Sequence, residues 1–260
     1  MTDALGQRMK AQYEDRTRFM LPRRTHTIIR VDGKAFHTYT RGLEKPFDYG
    51  LMDEMDAAAT VLCKEAMGCK CAYGQSDEYS FLLTDFDTIT TEAWFDGNVQ
   101  KIASVAASIF TAAFAEELSG AMETSRVYSP AFDARVFTIP DPVEVQNYFI
   151  WRQQDATRNA IQMAGCSQFS PKQLHGVSTS QIQEKLFQEK GVNFNDYSVR
   201  AKRGRVIFKE EFTFETAIRT RWSVDDEMPI LTQDRDYFQR VMNIPDLPRV
   251  YAGEEVSVNA

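Results

Sequence analysis

Three carboxylates carry the strongest chemical signal in the chain. Asp32 closes a β-branched stretch (HTIIRVD, 26–32), and Asp77 and Glu78 stand at the start of another apolar run (EYSFLL, 78–83). Carboxylates gathered at one place repel unless a cation sits between them. An all-oxygen ligand set suits Mg²⁺, which takes one or two carboxylates and fills its shell with water and substrate phosphates. Two such ions about 3.5–4 Å apart serve in-line phosphoryl displacement, one activating the attacking hydroxyl and the other steadying the leaving pyrophosphate. Gly33, next to Asp32, lets backbone approach closely, so its carbonyl is a candidate further ligand.

The segment after Asp32, GKAFHTYTRGLEKPFD (33–48), carries Lys34, His37, Arg41 and Lys45 and leads into a helix start at Asp48. Cations beside a helix N-terminus make a phosphate cradle. Ser76, in the turn before Asp77, adds a hydroxyl. Taken singly these are ordinary loop side chains; beside an acidic pair they read as a nucleotide site.

The elements that must position these groups follow from local signals. Residues 26–32, 70–73, 78–83 and 131–138 read as strands, with Gly74–Asp77 as a tight turn. Residues 48–67 read as a helix capped by Asp48 and closed by Gly68, and an Ala-rich helix is expected over 92–118. Asp141 with Pro142 opens a helix to about Ala164, and Ser178 with Gln181 forms a capping box for a helix ending at Gly191. Residues 205–212 and 214–222 read as a hairpin, and the tail after Pro229 as acidic and irregular. The order βαββαβ is that of an α+β, ferredoxin-like sheet, expected with helices on one face. In that topology the first and third strands are adjacent and antiparallel, which brings Asp32 to Asp77 and Glu78. The expected division is a palm-like core over 1–140 and a helical and β-hairpin extension over 141–260, packed together.

Composition narrows the function classes. The 260 residues are 43% hydrophobic and 26% charged, typical of a globular protein. No run of about 18 apolar residues could span a membrane, and the first ten residues lack a signal-peptide core. Four cysteines whose spacing fits no common zinc pattern read as reduced thiols, and the expected location is cytoplasmic. The net charge of −7 hides a pattern: residues 31–120 carry fifteen acidic and six basic side chains, while 1–30 and 121–223 are net basic. That suits carboxylates holding metal while the flanks hold phosphates. Arg200, Lys202, Arg203 and Arg205, with Arg152 and Arg158 on the helix after Asp141, are the expected RNA-binding cations. A nucleotide cyclase would use the same acidic sheet edge. An RNA-recognition module of this topology would need exposed aromatics where acids stand.

The stretches Asp32-Gly33-Lys34-Ala35-Phe36-His37 and Tyr73-Gly74-Gln75-Ser76-Asp77-Glu78-Tyr79-Ser80-Phe81 resemble the tRNA-His guanylyltransferase family, the 3′→5′ nucleotide polymerases. Phe132–Arg135 and Trp151–Asp155 resemble two further family stretches, and the likeness covers roughly residues 5–215. The resemblance implies a polymerase-palm core, two Mg²⁺ ions on Asp32, the Gly33 carbonyl and Asp77, and support from Glu78. It implies an incoming nucleotide over the segment Lys34, Ala35, Phe36 and His37 and against Lys45, Asp48 and Ser76. It places Lys101 and Arg135 near the triphosphate of an activating or second nucleotide (ATP or GTP), where Asn98 replaces one family arginine. It also implies a tRNA substrate and a homotetramer.

One departure bears on the substrate. Thr157–Met163 keeps only one Asn of the His-Ile-Asn-Asn-Leu-Tyr-Asn stretch of eukaryotic-type enzymes. Phe169–Gly176 resembles instead the branch found in bacteria, archaea and some viruses and organelles. That branch favours template-dependent repair of tRNA 5′ ends over untemplated addition of G to tRNA-His.

Overall fold

The computed structural model describes residues 3–120, 129–215 and 217–245. In chain order the elements are α1 (Ala4–Met9), β1 (His26–Gly33), the single turn α2 (Phe36–Tyr39), α3 (Tyr49–Glu65), β2 (Cys69–Gln75), β3 (Glu78–Leu83), α4 (Val99–Gly120) and β4 (Phe132–Ile139). There follow α5 (Pro142–Gln168), α6 (Pro171–Leu174), α7 (Thr179–Lys190), α8 (Val199–Arg203), β5 (Arg205–Phe214), β6 (Ala217–Asp225) and α9 (Tyr237–Arg240).

Local chemistry sets the ends of the main helices. The Asp48 carboxylate accepts the Leu51 amide at 2.8 Å and starts α3, while Asp141 with Pro142 starts α5. Ser178 and Gln181 form the expected capping box, and left-handed Gly191 ends α7. The long helix expected from residue 92 begins only at Val99. A short 3₁₀ turn, Trp94–Gly97, precedes it, with Phe95, Asp96 and Gly97 all at positive φ, a conformation no α-helix accepts.

All strands join one six-stranded sheet in the order β4-β1-β3-β2-β5-β6, with every neighbour antiparallel. β1 and β3 are adjacent, as the chain order requires, and Asp32 stands opposite Glu78 on one side and Asp133 on the other. The turn before β3 is tighter than the four residues expected. Gln75 pairs with Glu78, so only Ser76 and Asp77 form it, with Ser76 at φ 48°. Gly74 lies within β2, where a Cβ would fall 2.2 Å from the Tyr79 ring.

The sheet is covered on both faces, not on one as the sequence suggested. Ile29, Val31, Tyr79 and Phe81 pack against Met55 and Leu62 of α3 and Phe110 and Phe114 of α4. On the opposite face Ile28, Tyr73, Leu82 and Val206 pack against Phe149 and Ile150 of α5 and against Met228, Tyr237 and Phe238. Every residue of β3 is buried, which is why EYSFLL lacks the alternation of a half-exposed strand. A third cluster joins Phe47 and Met52 to α5, α7 and α8. As far as residue 245 the tail is irregular as expected, with only the single turn α9, but it is packed into the core: Leu231, Phe238, Met242 and Ile244 are fully buried, and the Gln153 amide bonds the Pro229 carbonyl and the Leu231 amide. Its last stretch, 246–260, lies outside the described residues. Each fully buried phenylalanine in these clusters contributes roughly 2 kcal/mol.

Candidate active site

The strand register decides which side chains can reach one another. Along β1, Ile29 and Val31 face α3 and α4, so Ile28, Arg30 and Asp32 face the other way, toward α5. Near Asp32 that face turns from apolar to charged. The Asp32 carboxylate has Arg30 and Arg135 each 3.9 Å away, and Arg135 also stands 3.8 Å from Asp133.

Asp77 reaches the same place from the Ser76–Asp77 turn. The Gly33 amide donates to the Asp77 carbonyl at 3.1 Å, which ties the end of β1 to that turn. Gly33 cannot carry a side chain here, because a Cβ would meet the Phe36 ring at 2.2 Å. The Asp77 carboxyl is raised from its ordinary value, first by burial and further by the Asp32 charge. Asp77 itself has no cationic partner to set against its burial and the Asp32 charge among the causes of its shift, and a divalent cation between the two carboxylates would relieve both. Oxygen donors and no sulfur match Mg²⁺, so Asp32, Asp77 and the Gly33 carbonyl fit the group.

Glu78 does not join them. It is buried, with Arg152 Nε 2.9 Å and Arg30 Nε 3.7 Å from its two oxygens. Among the described residues no three His, Cys, Asp or Glu side chains gather into a metal-holding group. The expected support from Glu78 is therefore indirect, since its charge is already matched by two guanidinium groups.

Beside the pair opens a cavity of about 540 Å³. Gly33, Ala35, Phe36, His37, Lys45, Asp48, Ser76 and Asp77 line it, bringing together most of the expected nucleotide-binding residues. Their contributions differ. Phe36 is buried against Tyr39, Phe114 and Phe132, so its ring props the loop. Ala35 sits in the left-handed region at φ 54°, where the chain reverses into α2. Asp48 spends one oxygen on the Leu51 amide and the other on the Glu44 amide at 3.1 Å, which closes the loop onto α3. Met163, Cys166 and Ser167 of α5 also line the cavity.

Other expected residues fall elsewhere. Lys34 is exposed outside the cavity lining, with its amide bonded to the Ala131 carbonyl. Arg135 is exposed beside Asp32. Lys101 lies over the Phe95 ring, next to Ile102, which sits with Thr27 and Leu83 at the far end of β1 from Asp32. Two expected RNA-binding cations are corrected outright. Arg205 is fully buried and paired with Asp56, and Arg152 is 4% exposed and paired with Glu78 and Asp155. Neither can meet a phosphate, because each is spent on a buried carboxylate. Arg158 is exposed and paired with Asp155, while Lys202 and Arg203 are half-buried, Lys202 donating to the Asn195 carbonyl at 2.6 Å.

Arg30 is a further charged residue of the site, absent from the expected set although the two-residue period of a strand puts it on the face of Asp32. Met163 and Cys166 carry no local signal of a site, and only the path of α5 brings them to the cavity.

A family model described as tRNAHis guanylyltransferase (Thg1) matches residues 6–140. A bacterial tRNA(His) guanylyltransferase-like protein, solved in complex with ATP, is 43% identical at a TM-score of 0.83, covering 93% of this chain and 99% of that one. A structure of the same description in complex with GTP is 42% identical at a TM-score of 0.78, covering 90% of this chain and 97% of that one. The tRNA(His) guanylyltransferase of Debaryomyces hansenii is 31% identical over 211 residues, 75% of this chain and 77% of its own length. Paired carboxylates beside a nucleotide-sized cavity and these matches agree: the chain belongs to the tRNAHis guanylyltransferase family of nucleotidyltransferases.

Proposed function

We propose that this nucleotidyltransferase is Mg²⁺-dependent and extends RNA 5′ ends in the 3′→5′ direction, with template-dependent repair of tRNA 5′ ends as its task. The observation that carries the reading is the Asp32–Asp77 pair at the edge of a cavity framed by the 33–48 loop. The ATP and GTP complexes of the two similar structures support a nucleoside triphosphate as the cavity's occupant. The palm-like reading of the sheet rests on its strand order and on where its acids lie.

The chain's own residues divide the work. Lys45 and His37, which line the cavity, would meet phosphates, with Ser76 offering a hydroxyl beside Asp77. The apolar wall around Leu43, Leu51 and Met163 is suited to the base. Arg135, outside the cavity beside Asp32, would meet the triphosphate of the activating or second nucleotide. Asp32, Asp77 and the Gly33 carbonyl would hold the divalent ions, which when bound activate the attacking hydroxyl and steady the leaving group. Activation joins a nucleotide monophosphate from ATP to the RNA 5′-phosphate and releases pyrophosphate. The 3′-hydroxyl of the incoming triphosphate then attacks that 5′-phosphate and releases the monophosphate. Holding the hydroxyl in line accounts for much of the rate. A cytoplasmic homotetramer completes the reading.

The test offers 5′-truncated tRNAs, with the opposing base varied, to each of the four labelled triphosphates in Mg²⁺. Incorporation that follows the complement of the template base, lost in Asp32→Ala and Asp77→Ala, is the expected result. Addition of G alone, confined to tRNA-His, would return the chain to untemplated addition. A cyclic nucleotide formed without RNA would overturn the reading.

A further inference from the structure

An arginine buried beneath a catalytic carboxylate cluster needs a reason. Arg152 is 4% exposed, and its Nη2 donates to Asp155 at 2.7 Å while its guanidinium lies 4.2 Å from the Trp151 ring centre. Its Nε is 2.9 Å from Glu78 Oε1, a contact of facing charges without hydrogen-bond alignment. Glu78 Oε2 looks instead toward Arg30, which lies between Glu78 at 3.7 Å and Asp32 at 3.9 Å. The result is a row of alternating charge across four elements: Arg152 of α5, Glu78 of β3, Arg30 and Asp32 of β1, and Arg135 of β4.

Glu78 adjoins Asp77 in sequence and faces Asp32 across the β1–β3 ladder. A carboxylate so placed, if released, would compete for the same cation. Two guanidinium groups prevent this, and Arg152 provides the nearer contact, from a helix that also lines the nucleotide cavity.

We propose that Arg152 is a positioning residue for nucleotidyl transfer: it holds Glu78 against α5 and out of the Asp32–Asp77 pair, so that the pair alone sets where the cation sits. The inference rests on the divalent-ion reading of that pair. Loss of Arg152 should therefore leave cation affinity intact, or raise it, while turnover collapses. A residue that only supports the fold would lower both.

The experiment measures Mn²⁺ binding to the full-length protein without substrates, by electron paramagnetic resonance, together with kcat and KM for the incoming triphosphate. Wild type against Asp32→Asn tests the divalent-ion reading on its own, since binding that is insensitive to Asp32→Asn removes that reading and not merely the role of Arg152. Arg152→Met is expected to bind Mn²⁺ at least as tightly as wild type with kcat lower by roughly 10–100-fold. Adding Glu78→Gln, which removes the competing charge, is expected to restore a tenth or more of the lost kcat, a coupling read as non-additivity. Arg152→Lys, which keeps the charge, should lie between and guards against a misfolded methionine variant. Wild-type kcat in Arg152→Met, or a kcat loss that Glu78→Gln deepens, would overturn the proposal.

Discussion

Asp56 and Arg205, 149 residues apart in sequence, form an ion pair in the protein interior. The Tyr79 hydroxyl donates to the same carboxylate, and Arg205 Nη2 also meets the Met52 carbonyl at 3.3 Å. This pair joins β5 to the middle of α3, whose first turns line the nucleotide cavity. Taking away one partner leaves a buried charge unmatched, so Asp56→Ala should cost about 3–5 kcal/mol. The double replacement Asp56→Leu with Arg205→Met should be markedly milder than Asp56→Ala alone, because no charge is stranded. Urea unfolding of the two proteins checks both values, and an Asp56→Ala loss below about 1 kcal/mol would contradict the burial argument.

Gly33→Ala separates stability from catalysis. The added methyl would meet the Phe36 ring at 2.2 Å, so either the ring or the end of β1 must move. Overpacking of this kind costs about 1–3 kcal/mol, which a protein of this size survives. The Gly33–Asp77 backbone bond would shift with it, and nucleotide addition should fall by at least roughly tenfold, since small misplacements of reacting groups are costly. Thermal melting alongside single-turnover rates tests this, and an unchanged rate would show that the close approach is not needed.

Charge reversal at Arg158, Lys202 and Arg203 together should weaken tRNA binding and flatten its salt dependence by about one unit of log–log slope for each phosphate no longer neutralised. These three retain exposed or half-exposed surface, unlike Arg152 and Arg205. Binding isotherms at several salt concentrations give the slope, and a slope equal to wild type would move the RNA to another face.

Met163 faces the cavity from α5, opposite the 33–48 loop. Met163→Trp should fill part of the 540 Å³ space and raise KM for the triphosphate several-fold, with kcat changed less. A fall in kcat at constant KM would place the nucleotide elsewhere. Chelation with EDTA should stop addition in every variant and leave the melting temperature nearly unchanged, because the fold is held by its three apolar clusters.

What the sequence revealed were features set within a few residues. The β-branched run at 26–32, the Asp48 cap and the Ser178–Gln181 capping box need no distant partner, and all three stand where the residues suggested. Strand order followed from the chain order of the elements, and with it the meeting of Asp32 and Asp77. What could not be read depends on the third dimension. Arg200-Ala-Lys-Arg-Gly-Arg205 looks like a solvated cationic patch until Asp56 is found beneath it. That the acidic tail packs into the core could not be read, because its buried apolar residues, Leu231, Tyr237, Phe238, Met242 and Ile244, follow neither a helical nor a strand period. Support of the metal ligands by Glu78 follows from its neighbourhood in the sequence, but the arginine that pairs with it comes only from the path of α5.

That helix has a further consequence, in its phase. Arg152 and Met163 lie eleven residues apart on α5, which is close to three whole turns and about 16 Å of rise. One end holds Glu78 and the other lines the cavity. Inserting or deleting a single residue between them would rotate one end by about 100° relative to the other. Length changes in this stretch can therefore persist only in near-integral turns, so its length is constrained even where individual side chains are free to vary.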